Sequence, residues 1–170
     1  MLGFYEGFPV NVHKTAVFTT SISNKRLQEQ MIRLFNELNT NTFNLEDVAT
    51  PSIPQCTVIF EFGIAETNSF NYLDDEEVAK VLKTIHKKPL QIMDFFCIIR
   101  YYKETAGEKK KPLKFDYYML RFLFNKNTVE ILVFHERGPR YLSPEDLITF
   151  LTNKINETSS KKVLRVLESS

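Results

Sequence analysis

The chain has 170 residues, with 22 basic and 21 acidic side chains and a formal net charge of +1. That length suits one domain with a single core, and 43% apolar against 25% charged residues excludes a disordered chain. A net charge so near zero excludes a global field that would draw the protein to nucleic acid or to a membrane surface.

Residues 1–14 carry Glu6 where a signal peptide needs its apolar stretch, and they lack a basic start. No secretory signal is read, so a cytoplasmic location is expected. Residues 10–22 read as extended chain, with Val12, Ala16, Phe18 and Ile22 among β-favouring threonines. Ser23 or Asn24 offers an N-cap. Leu27, Met31, Leu34, Phe35 and Leu38 follow at helical spacing, which predicts a helix over 25–38. The stretch 39–54, with Pro51 and Pro54, reads as a connection. Residues 55–62 form a strand with Val58, Phe60 and Phe62 on one face, ended or bulged at Gly63. Asp74 caps a second helix, whose stripe is Val78, Val81, Leu82 and Ile85 and whose close is His86-Lys87-Lys88-Pro89. Three strand-like runs follow at 91–103, 113–125 and 128–136, and Asn125-Lys126-Asn127 is a tight turn between the last two. Gly138-Pro139 breaks the last run. Ser143-Pro144-Glu145-Asp146 then starts a helix with Leu147, Ile148, Leu151 and Ile155 as its stripe.

The expected order is β-α-β-α-β-β-β-α. This is an α+β domain over residues 1–158, a mostly antiparallel sheet of about five strands with helices packed on it. Residues 159–170 read as a short terminal helix or a frayed tail, anchored by Val163, Val166 and Leu167.

The runs 92–101 and 113–124 are apolar on both faces. Met93, Phe95, Cys97, Ile99 and Tyr101 oppose Ile92, Phe96 and Ile98. Tyr118, Leu120, Phe122 and Phe124 oppose Leu113, Phe115, Tyr117, Met119 and Leu123, interrupted by Arg121. An antiparallel sheet with one wet face should alternate between apolar and polar residues, so both faces must be covered. Three helices cover one face and part of the other, and a homodimer is the expected cover for the remainder, the alternatives being the terminal helix with the loop 39–54 or a ligand in a cavity.

Chemistry-bearing residues are sparse. There is no Walker loop, no GxGxxG, no HExxH and no serine-nucleophile motif, so no cofactor, metal or catalytic residue is expected. No uncharged apolar stretch approaches the roughly 18 residues of a membrane helix, which leaves no membrane partner. Cys56 and Cys97 lie inside apolar runs and read as buried free thiols. Glu61, if buried, needs Arg100 or Arg121 as its partner.

Two constellations are candidates for binding. The segment 100–121 groups Arg100, Lys103, Lys109, Lys110, Lys111 and Lys114 with aromatics including Tyr101 and Tyr118. Cations that neutralise phosphate and rings that stack on bases would let this hairpin grip single-stranded nucleic acid. Arg137 and Arg140, beside His135 around the Gly138-Pro139 turn, would clamp an anion if they converged, which is the small-molecule-binding enzyme reading. The reading favoured over both is a non-catalytic interaction protein that self-associates.

Overall fold

A computed structural model describes residues 1–50, 55–103 and 111–169, the side chains of 111–113 and 168–169 excepted. Among them are nine strands and three α-helices: β1 (Gly3–Phe4), β2 (Lys14–Thr20), α1 (Asn24–Leu38), β3 (Thr42–Asn44), β4 (Cys56–Ala65), β5 (Ser69–Tyr72), α2 (Asp75–Lys87), β6 (Ile92–Lys103), β7 (Lys111–Asn125), β8 (Thr128–Arg137), α3 (Pro144–Glu157) and β9 (Leu164–Ser169). The strands form one sheet in the order β1-β5-β4-β6-β7-β8-β2-β9, and β3 pairs with the free stretch of β4. Every pairing is antiparallel. The α+β class and the antiparallel sheet are those expected, but the sheet holds nine strands rather than about five. The meander β6-β7-β8 is its centre, and Asn127 takes the left-handed backbone, φ 64°, that its tight turn needs.

The helices begin where their caps dictate. The side chains of Ser23, Asp74 and Ser143 accept from the amides of Arg26, Glu77 and Asp146, and Pro144 stands at the first turn of α3. All three helices bury their stripes on one face of the sheet, in a core of aliphatic side chains and stacked phenylalanines. Phe35 of α1 stacks on Phe62 at 4.5 Å and meets Phe95 edge-on at 4.9 Å, while Phe150 of α3 stacks on Phe60 at 5.1 Å. Cys56 and Cys97 are free and buried in this core.

The terminal segment is a strand, not the expected helix or frayed tail. Val163 and Leu164 are buried, and β9 pairs with the outer edge of β2, whose amides would otherwise lack partners. Asn156 makes the turn into it: its Oδ1 accepts from the amides of Val163 and Leu164 at 2.9 and 2.8 Å, and its Nδ2 donates to Leu164 O at 3.1 Å. The stretch 39–54, expected to be a plain connection, contains β3 and a short 3₁₀ turn over Leu45–Asp47.

Two buried amides on α1 fasten the helix layer. Gln28 donates to Leu90 O at 2.7 Å and accepts from Leu90 N at 2.9 Å. Asn39 stands where the second edge of β4 has passed β3 and not yet reached β5. Its Oδ1 accepts from Phe62 N at 2.6 Å, and its Nδ2 donates to Phe62 O and Leu73 O at 3.2 and 3.3 Å. Asn39→Leu keeps the volume and strips a buried amide of its acceptor. The expected loss is about 2 kcal/mol, read as a lower urea midpoint with unchanged slope, and a loss under about 0.5 kcal/mol would show that Asn39 is not the ladder's replacement.

Candidate functional site

Alternation along the central strands makes two unlike faces. One is the helix-covered core. The other receives Asp94, Phe96, Ile98 and Arg100 from β6, Phe115, Tyr117, Met119, Arg121 and Leu123 from β7, and Glu130, Leu132 and Phe134 from β8. The apolar cluster on this second face contains no helix residue.

The N-terminal segment covers one end of it. β1 extends the sheet beyond β5, and Leu2 packs on Gly63, where a Cβ would lie 2.8 Å from the Leu2 side chain. Tyr5 meets Phe70 edge-on at 4.8 Å and donates its hydroxyl to Asp94. Asp94 also holds Arg121 through two bonds of 2.8 Å, and the Arg121 guanidinium lies 4.7 Å from the centre of the Phe8 ring. Past Phe8 no helix covers the face, and the His13 ring lies 5.0 Å from that of Phe134. Tyr117, Met119, Leu123, Leu132, Phe134 and Val17 are half-buried there, and Arg137 stacks on Tyr117 at 4.2 Å.

A buried carboxylate closes the far end of the central hairpins. Asp116 is fully buried and accepts from four donors: the Tyr101 hydroxyl at 2.5 Å, His135 Nε2 at 2.8 Å, and the amides of Arg140 and Tyr141 at 2.8 and 3.2 Å. Tyr101 accepts from Leu142 N at 2.9 Å, and Tyr118 donates to Leu142 O. Residues 140–142 are thereby pinned just ahead of the Ser143 cap. Arg140 Nε–H donates to His135 Nδ1 at 3.1 Å, which fixes the tautomer whose Nε2–H reaches Asp116. His13 Nδ1 accepts from the His135 amide, and desolvation holds the His13 ring below the ordinary histidine value, aided by Arg140 and His135.

The candidates from the sequence are therefore divided. His135 and Arg140 meet, but in the service of Asp116, on the helix-covered side, while Arg137 lies on Tyr117 across the sheet. A cleft of about 420 Å3 lies elsewhere, between residues 43–50 and α3, where Lys154 sits over Phe43 and Phe150. Tyr101 and Tyr118, grouped with the basic residues for stacking on bases, are 0% exposed, so no base reaches either ring. Arg100 reaches Glu61, the pairing the sequence suggested. Lys103 and Lys114 are exposed at the base of the hairpin, Lys109 and Lys110 lie outside the described residues, and Lys111 is described in its backbone alone. Among the described residues no group of three or more His, Cys, Asp or Glu side chains is placed to hold a metal ion. No helix among them is long and apolar enough to cross a membrane. Comparison with protein-family models, curated proteins and solved structures gives no match, so function is argued from these two features.

Asp116 carried a signal that could have been followed. Extending the core-facing set Tyr118, Leu120, Phe122, Phe124 by one step places residue 116 in the core, where a carboxylate demands donors.

Two outcomes test the buried end. Gly138 has φ +121°, and a Cβ on it would lie 2.8 Å from Asp116 Cα and collide with Phe115 O. Gly138→Ala should cost about 2–3 kcal/mol by chemical denaturation; a neutral result would mean the turn is not pressed onto Asp116. Burial, with Asp116 beside them, raises the Tyr101 and Tyr118 phenols far above the ordinary tyrosine value. A phenol raised in the folded chain contributes stability that is intact below its unfolded value and is lost as pH rises past it. Tyrosinate absorbance should therefore show two of the seven tyrosines ionising only with unfolding. All seven titrating in a chain that stays folded would contradict their burial.

Proposed function

We propose that this chain is a non-catalytic interaction protein that self-associates through the open face of its sheet. The observation that carries the reading is the half-buried apolar row on β7 and β8. Leu132 and Phe134 of β8 pair with Arg121 and Met119 of β7, Tyr117 and Leu123 stand opposite Arg137 and Glu130 at the two ends, and all of them face away from the helix layer. A solvated antiparallel face carries polar residues at these positions. A contiguous apolar patch on a folded domain is an association site, and two such faces pack as the layers of a sandwich, about 10 Å apart.

The polar groups of the open face favour docking over chemistry. Arg121 is consumed by Asp94 and Arg100 by Glu61, so neither is offered to a substrate. The buried Asp116–His135 pair is closed over by residues 140–142, and Arg140 occupies the second imidazole nitrogen.

Light scattering at micromolar concentration should return twice the 19.9 kDa of one chain. Replacing Leu132 and Phe134 together with Ser should return the single-chain mass in a chain that still unfolds cooperatively, at a somewhat lower melting temperature because both side chains are half-buried in the monomer. A wild-type mass near 19.9 kDa at every concentration overturns the reading.

A further inference from the structure

If the chain self-associates through this face, the strand register fixes how. On β8 the outward side chains are Glu130, Leu132, Phe134 and, past a bulge, Arg137. Counted by their partners on β7, which are Leu123, Arg121, Met119 and Tyr117, the midpoint is Val133 opposite Leu120. Leu132 and Phe134 lie one paired step to either side of that midpoint. Glu130 and Arg137 lie three steps to either side. The row is thus apolar at its middle, acidic at one end and basic at the other, and it complements its own reverse.

We propose that a second copy of this chain docks face to face across a two-fold axis lying in the sheet plane, perpendicular to β8 at Val133. This inference rests on the self-association reading and specifies its geometry. The operation sets β8 antiparallel over β8. Leu132 meets Phe134 of the partner subunit, and Glu130 meets Arg137 of the partner subunit, twice over. Facing sheets lie about 10 Å apart, a gap that a Glu and an Arg reaching toward each other span. The other face-to-face two-fold, with its axis along the strands, would stack Glu130 on Glu130 and Arg137 on Arg137, and like charges reject it. The Arg137 guanidinium lies 4.2 Å from the Tyr117 ring, on the same face as the row. The contact centres on β8, since Phe8 on Arg121 occupies the β7 side.

The test is a charge swap read by the dimer dissociation constant. Glu130→Arg alone and Arg137→Glu alone should each weaken the dimer about tenfold or more, because each makes two like-charge contacts. The double variant should return to within a few-fold of wild type. Glu136→Lys, which alters the charge just outside the row, should not weaken it. A second readout does not depend on the swap. Mixed Glu130→Cys and Arg137→Cys proteins should be joined by a short bis-maleimide, and neither protein should be joined to itself. A monomeric wild type overturns self-association and this geometry together. A dimeric wild type whose single reversals have no effect, whose double variant fails to recover, or whose cysteine pair does not cross-link overturns the geometry and leaves self-association standing.

Discussion

A sheet has two faces, and the helices of this chain supply one layer. That constraint organises the rest of the structure. Apart from one bulge in each of the two ladders, β6, β7 and β8 alternate, so each residue's parity decides whether it joins the core under α1, α2 and α3 or the face without a helix. Most of the hydrophobic stabilisation is gained on the helix side, where rings such as Phe35, Phe60, Phe62 and Phe95 are fully buried. On the other side the N-terminal segment performs the same office over a shorter span. It lays Leu2, Tyr5 and Phe8 across β4, β6 and β7, and anchors them through the Asp94–Arg121 pair. What it leaves uncovered is apolar because the strands were already apolar on both faces.

The buried Asp116 belongs to a different economy. An isolated carboxylate in a core is very costly. Four donors from three parts of the chain answer it here: β6 through Tyr101, β8 through His135, and the 140–142 segment through two amides. The arrangement is cooperative, since each donor is positioned by the group it serves, and a network with every member satisfied defines one geometry rather than several. It explains why the chain turns through Gly138 and a left-handed Arg140, φ 58°, before α3. It also explains why the aromatic residues of the basic hairpin split by parity. Tyr101 and Tyr118 are structural hydroxyls, while Phe115 and Tyr117 face outward.

How much of this was legible in the sequence follows from how far each signal reaches. The three helices and their caps are local patterns, and they stand where Ser23, Asp74 and Ser143 place them. Two-faced apolarity in 92–101 and 113–124 is also local, as is the need of Glu61 for a partner, which Arg100 meets. The short strands were not legible. Two residues at Gly3–Phe4, three at Thr42–Asn44 and four at Ser69–Tyr72 carry no periodicity and exist because a neighbouring edge needs pairing. β9 is illegible for the same reason: Val163, Val166 and Leu167 suit a helix as well as a strand, and the open edge of β2 decides between them. The roles of Tyr101 and Tyr118 depended on Asp116, whose charge invites a solvent-facing reading that its parity contradicts.

The edges of the sheet are poorly suited to strand-by-strand extension. A sheet edge is a ready template for another strand, and folded proteins blunt theirs with short strands and bulges. One end of this sheet is β1, two residues long. The other is β9, where Val166 and Leu167 are exposed and would invite pairing, yet the register slips between Val17 and Phe18, so Val166 and Glu168 pair with successive residues of β2 and Leu167 is left out of the ladder. A partner strand laid along that edge would meet an interrupted run of donors and acceptors. Both edges are therefore poor templates for extension. The face over β7 and β8 is in register over nine residue pairs interrupted at one bulge, and Leu132 and Phe134 stand at the middle of its β8 row. A face-to-face contact closes on itself where an edge contact would leave a further edge exposed, which is why the proposed association is placed on the face.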